Sequence, residues 1–165
     1  MGVLDDFMVN PNISLLDKTR IQAQVLVPVM HAMRAEIGRE KADALVRGAL
    51  REWSKQLFAG IGESIEGSPG RKFAKMNTAL AEVTERDVAF DMHRDDREAR
   101  EFDITSCRFA EFFRALGEPE LGALLVCWTD VDIAEAGGSD VSFSRAQTLM
   151  QGGSCCTFRY KFAPR

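Results

Sequence analysis

The sequence predicts an α+β domain, with a helical N-terminal half packed on an antiparallel sheet of about four strands. The strands form two hairpins separated by two short helices. Three observations carry this prediction. Apolar residues recur near helical spacing through residue 84, and the period then shortens to two in "DVAFDMH" and "FDITSC". The strand-like segments also come as neighbours joined by short polar or glycine-bearing stretches, which favours hairpins over parallel crossovers.

The elements follow in order. In "SLLDKTRIQAQVLVPVMHAMRAEIG", Ser14 is a predicted N-cap with Asp17 three residues on, and Gly38 supplies the stop. Leu15, Ile21, Val25, Val29, Met33 and Ile37 mark its apolar stripe, and Pro28 predicts a kink or a break. In "EKADALVRGALREWSKQLFAGIG" the stripe is Ala42, Leu45, Ala49, Trp53 and Leu57. "IEGSPGRK" reads as a turn, with Pro69 in the first turn of a third helix running to about Val83. "DVAFDMH" places Val88, Phe90 and Met92 on one strand face. The charged "RDDREARE" reads as a solvated connection, and "FDITSC" is a strand ending at Cys107. "RFAEFFRALG" and "PELGALLVCW" are two short helices divided by Gly117 and Pro119. "VSFSRAQTLM" and "SCCTFRYKF" are the last two strands, with Gly152 and Gly153 between them. No internal repeat or low-complexity stretch is present.

At 165 residues the chain reads as one domain, 1–165, with a helical half to residue 84 and a sheet-containing half from 85. Such a length buries roughly 70% of the unfolded surface, so neither disulfide nor metal is needed for folding. A net charge of -4 argues against nucleic acid as a partner, because phosphate-backbone binding needs a basic surface. The start, "MGVLDDFMVNPN", lacks the charged and apolar regions of a secretory signal. The longest apolar run, "LGALLVCW", falls far short of the ~20 residues that span a bilayer. The expectation is a cytoplasmic protein with no membrane partner. In a reducing compartment its four cysteines are not a disulfide framework.

On the last strand Cys156, Phe158, Tyr160 and Phe162 share one face, which directs Cys156 toward the core or a pocket. Cys155 goes with Thr157, Arg159 and Lys161 on the other face. Cys107 sits at a strand-to-helix junction, where the helix N-terminus is expected to lower its pKa. Cys127 ends the second short helix, with Asp130 three residues later and Asp132 in reach. Arg145 shares a face with Phe143 and needs an anionic partner, either Asp130 or a substrate carboxylate. The cysteines are not paired as CxxC, so a zinc ribbon has no support and no metal ligand is assigned. A dispersed site of three sulfurs with Asp130 or His31 is the arrangement a zinc ion would need. The cofactor is left open. His31 reads as a packed, hydrogen-bonded helix residue and His93 as an exposed strand residue.

Taken in order, Cys107, Cys127-Trp-Thr-Asp130, Arg145-x-x-Thr148-Leu and Gly152-x-x-x-Cys156-x-Phe158 resemble the L-2-amino-thiazoline-4-carboxylic acid hydrolase family. The motifs cover residues 85 to 162, and the helical half resembles the family in layout alone. The resemblance implies hydrolytic opening of a small cyclic C–N carboxylic acid, with the thiazoline product an N-carbamoyl cysteine. Such chemistry needs a nucleophile, a proton donor and a cation for the substrate carboxylate. The expected roles are Cys107 or Cys127 as nucleophile and Asp130 as general acid/base. Arg145 anchors the substrate, and Thr148 and Cys156 complete its binding. The alternative is a non-catalytic small-ligand or zinc-binding sensor using the same cysteine-lined pocket. A homo-oligomer formed through the N-terminal helices is a further expectation.

Overall fold

A computed structural model of the chain describes residues 13–63, 66–67, 69–136 and 138–163. Helices α1 (Leu15–Ile37), α2 (Arg39–Glu63) and α3 (Pro69–Thr84) precede a hairpin of β1 (Val88–Asp95) and β2 (Ala99–Cys107). Helices α4 (Arg108–Ala115) and α5 (Pro119–Gly122) follow, then a π-helical turn at Ala123–Cys127 and helix α6 (Thr129–Ala136). Strands β3 (Val141–Ser144) and β4 (Cys156–Phe162) close the fold, with a 3-10 turn at Leu149–Gln151 between them. The sheet is antiparallel throughout, in the order β1-β2-β4-β3, so the fold class is α+β as expected.

The ends of α1 follow from local chemistry. Ser14 accepts a hydrogen bond from the Asp17 amide at 3.0 Å, and Gly38, at φ 82°, donates its own N–H to the Arg34 carbonyl. The expected break at Pro28 does not occur, and the helix runs through it. Pro28 and Gln24 both face outward, where water can satisfy the carbonyl that proline leaves without a donor.

The buried face of α1 also differs from the predicted stripe. Leu16, Ala23 and Met30 are buried, whereas Ile21, Val25 and Val29 are 55%, 63% and 45% exposed. On α2, Ala42 and Ser54 are buried, while Leu45 and Trp53 are exposed. Arginine pairing explains the rotation. Arg34 meets Asp43 at 2.7 and 2.8 Å, and Arg47 meets the fully buried Asp132 of α6. Both pairs turn polar positions of these helices inward.

The charged stretch "RDDREARE" forms the tip of the first hairpin and is exposed from Arg94 to Glu98, as a solvated connection should be. Its ends lie in β1 and β2, and Asp96 accepts from the amides of Glu98 and Ala99 at 2.8 and 3.0 Å. Phe90 and Met92 of β1, an edge strand, remain partly exposed.

Strand β3 stops at Ser144, six residues before the predicted end at Met150, and the chain then folds over β4. Thr148 caps the following 3-10 turn by accepting the Gln151 amide, and Gly152 ends that turn at φ 90°. These local bonds outcompete the strand pattern read from sequence. Two cores result. Phe73, Phe102, Phe158, Tyr160 and Cys156 pack between α3, α6 and the sheet. Ala23, Ala110, Phe113 and Met150 pack between α1, α4 and the 3-10 turn, with Cys107 and Cys127 against them. Gly122 is a packing glycine, because a Cβ there would lie 2.5 Å from Met150 Sδ and 2.6 Å from a Phe113 ring carbon. Gly122→Ala is therefore expected to lower stability by about 1–3 kcal/mol, the usual range for overpacking, measured by urea unfolding.

Candidate functional site

The two cores meet beneath a small cavity of about 300 Å³, lined by Cys127, Trp128, Phe143, Arg145, Gln147 and Thr148, among others. Each wall has a local cause. Ala123–Cys127 is wound as a π-helical turn, with the Trp128 N–H donating back to the Ala123 carbonyl. Such turns re-aim side chains and are found at functional sites. The turn ends at Cys127, and α6 begins two residues later with Asp130 in its first turn.

Asp130 and Arg145 make the central contact. Arg145 Nη1 donates to Asp130 Oδ2 at 2.6 Å, and its Nη2 donates to the Cys127 carbonyl at 3.0 Å. The guanidinium carbon also lies 5.7 Å from the Phe143 ring centroid and 5.4 Å from that of Phe158. The sequence left Arg145 two partners, and the structure supplies Asp130.

Burial dominates the electrostatics. It pushes the Asp130 carboxyl up to about 6 from 3.8, with Asp132 adding to the rise and Arg145 opposing it. Burial also pushes the Cys127 thiol far up, with Asp130 reinforcing the effect. Cys107 was expected to be acidified by the α4 N-terminus, and the N–H groups of Ala110 and Phe109 do pull it down. Burial outweighs them, so its pKa is raised. Cys156, whose Sγ accepts the Leu149 amide at 3.1 Å, is also raised by burial. All three thiols are neutral near pH 7.

The six residues singled out from sequence are placed unequally. Cys127, Arg145 and Thr148 line the cavity, and Asp130 reaches Arg145 from α6. Cys107 and Cys156 sit in the flanking cores, close enough that their charge would bear on Cys127. The Thr148 hydroxyl is engaged in the 3-10 cap with Gln151. Cys155 is peripheral, accepting from Gln147 at 3.2 Å. Sequence reasoning passed over Trp128 and Gln147 as cavity walls, and Tyr160, whose phenol feels both Asp130 and Arg145. The adjacency of Trp128 to Cys127 and of Gln147 to Arg145 was the signal available. His31 is exposed and meets Glu118 at 2.6 Å, far from the packed role expected of it, and His93 meets Asp103 at 3.1 Å. Among the described residues, no group of three or more His, Cys, Asp or Glu side chains is arranged to hold a metal ion. No helix among them is long and apolar enough to cross a membrane.

The fold and cavity together define a small α+β domain with a carboxylate–guanidinium pair beside partly buried thiols. The sequence model of the L-2-amino-thiazoline-4-carboxylic acid hydrolase family matches residues 18–160, and the chain belongs to that family. The match includes the helical half, beyond the motif region legible by eye. No curated protein matches the chain. Among solved structures, the phenol-responsive sensory domain of the transcription activator PoxR, determined with phenol, is similar in fold. It has a TM-score of 0.50 and 15% identity, covering 83% of this chain and 72% of that one.

The raised Asp130 pKa has a thermodynamic signature. A carboxyl lifted in the folded state contributes stability that is fully present below its unfolded value of 3.8 and is lost as pH rises through about 6. The difference in unfolding free energy, Asp130→Asn minus wild type, is therefore expected to rise between about pH 4 and pH 6, by up to ~3 kcal/mol. Loss of the Arg145 pair offsets the variant's whole curve, so the slope is the quantity to measure, by urea titration at several pH values.

Proposed function

We propose that the protein is a hydrolase that opens a small cyclic C–N carboxylic acid of the thiazoline or cyclic amidine type. The observation that carries this reading is that Arg145, which lines the small cavity, is paired with Asp130 just behind it, in a chain of this family. Arg145 is the anchor for the substrate carboxylate. As that carboxylate engages the guanidinium, Asp130 loses part of its counter-charge and becomes a stronger base. Asp130 then draws a proton from a water attacking the C=N carbon. It passes that proton to the ring nitrogen, whose C=N bond becomes single, and then relays the proton of the new hydroxyl to the ring sulfur as C=O forms and the C–S bond breaks.

Water is favoured over a thiolate as nucleophile because burial holds Cys107, Cys127 and Cys156 neutral. Cys127 then shapes the cavity, and Cys107 and Cys156 support it from the two cores. kcat/KM for a thiazoline carboxylic acid, followed by NMR, is expected to rise with pH through about 6 as Asp130 ionises in the free protein, and kcat to rise at a higher pH because the bound carboxylate raises Asp130 further. Asp130→Asn is expected to reduce kcat by at least about 100-fold. Cys107→Ala, Cys127→Ala and Cys156→Ala are expected to keep most of kcat. A loss confined to one of them would assign the nucleophile to that thiol instead.

A second reading is a non-catalytic ligand-sensing domain, favoured by the fold shared with a phenol-responsive sensory domain. Saturable binding of the thiazoline acid without ring opening would support it over the hydrolase.

The exposed apolar residues Ile21, Val25 and Val29 of α1 and Leu45 and Trp53 of α2 support pairing of copies through these helices. Val25→Glu is expected to shift the protein from dimer to monomer by light scattering, with its circular dichroism unchanged.

A further inference from the structure

A second, larger cavity of about 780 Å³ lies between α1, α2, α4 and the segment that follows α5. It shares Ala123, Trp128 and Gln151 with the thiol cavity, so Trp128 stands between the two. Its lining is unusual in carrying four arginines, Arg34, Arg39, Arg47 and Arg114. Three of these are neutralised. Arg34 pairs with Asp43, Arg39 with Glu120 at 2.6 Å, and Arg47 with Asp132. Among the described residues, Arg114 meets no carboxylate. Its Nη1 donates only to the Leu149 carbonyl, at 3.4 Å, a long and weak contact. The groove thus holds one guanidinium charge in excess.

Apart from the arginines, Asp43, Glu120 and Gln151, the wall is apolar. Leu124 and the buried Met150 contribute, and Trp128 is 45% exposed with the Arg47 guanidinium 4.9 Å from its ring centroid. A concave, mainly apolar surface with one unmatched cation is the form of a site for an organic anion. A single excess charge, in a lining that also carries Asp43 and Glu120, favours one negative charge on the ligand and disfavours polyanions. An exposed indole favours an apolar body that can cover it.

We propose that this groove is a binding site for a small monocarboxylate with an apolar body. Its carboxylate rests on Arg114, and its apolar part covers Trp128 and Leu124. The site is separate from the one assigned to the hydrolysed substrate, and the proposal does not depend on that assignment. Trp128, shared by both cavities, is the side chain through which occupancy of one bears on the other.

The chain has two tryptophans, so Trp53→Phe leaves Trp128 as its sole indole reporter. Titrating that protein with 4-phenylbutyrate is expected to give a saturable change in fluorescence at or below about 1 mM, an ordinary affinity for a small ligand with one charge contact. The neutral 4-phenylbutanamide is expected to bind about tenfold more weakly or worse, as is 4-phenylbutyrate to Arg114→Gln, with Arg114→Lys between. Ala44 is exposed and lines this groove but not the thiol cavity, so Ala44→Phe is expected to weaken binding by occupying space there. Absence of saturable binding up to about 10 mM would overturn the proposal. So would affinity unchanged in both Arg114→Gln and Ala44→Phe, since the ligand would then sit in the thiol cavity or elsewhere.

Discussion

The ion pair between Asp130 and Arg145 is the contact on which the rest of this structure depends. Asp130 opens α6, Arg145 leaves the end of β3, and the second nitrogen of the same guanidinium takes the Cys127 carbonyl. One side chain thereby joins the π-helical turn, the following helix and the strand that enters the sheet. Two residues along α6, Asp132 holds Arg47, and one turn further Glu135 meets Arg51 at 2.7 Å. Helix α6 is thus clamped between the sheet-edge loop on one side and α2 on the other. Removing one partner from such a part-buried pair leaves a charge only partly compensated by water.

The clamp sets the chemistry as well as the geometry. It lets a carboxyl be buried beside thiols without being silenced, because Arg145 opposes part of the rise that burial imposes. The result is one group that titrates just below neutrality and three thiols that do not ionise there. The thiols, the most conspicuous residues in the sequence, thus differ from the aspartate in that burial holds them neutral.

Trp128 ties this site to the arginine-lined groove. It directly follows the π-helical turn, faces Arg47 on α2 and belongs to the walls of both cavities. The N-terminal helices therefore do more than cover the sheet. Through Arg34, Arg39 and Arg47 they furnish one side of the groove, and their outward apolar residues Ile21, Val25, Val29, Leu45 and Trp53 stay exposed.

The sequence by itself determined the α+β class, the three long helices with their Ser14, Gly38 and Pro69 boundaries, the first hairpin and the inward face of β4. These follow from near-neighbour rules of periodicity and capping, in which each signal lies within a few residues of its effect. It also led to the Cys127, Asp130, Arg145 grouping through motif order. Only the tertiary structure decided which face of α1 and α2 is buried, because that depends on arginine partners such as Asp132, 85 residues from Arg47 along the chain. It decided likewise that β3 ends at Ser144, where Thr148 and Gly152 form a competing turn. And it decided the protonation of the thiols, since the helix terminus beside Cys107 is visible in sequence but the burial that outweighs it exists only once the two cores have met.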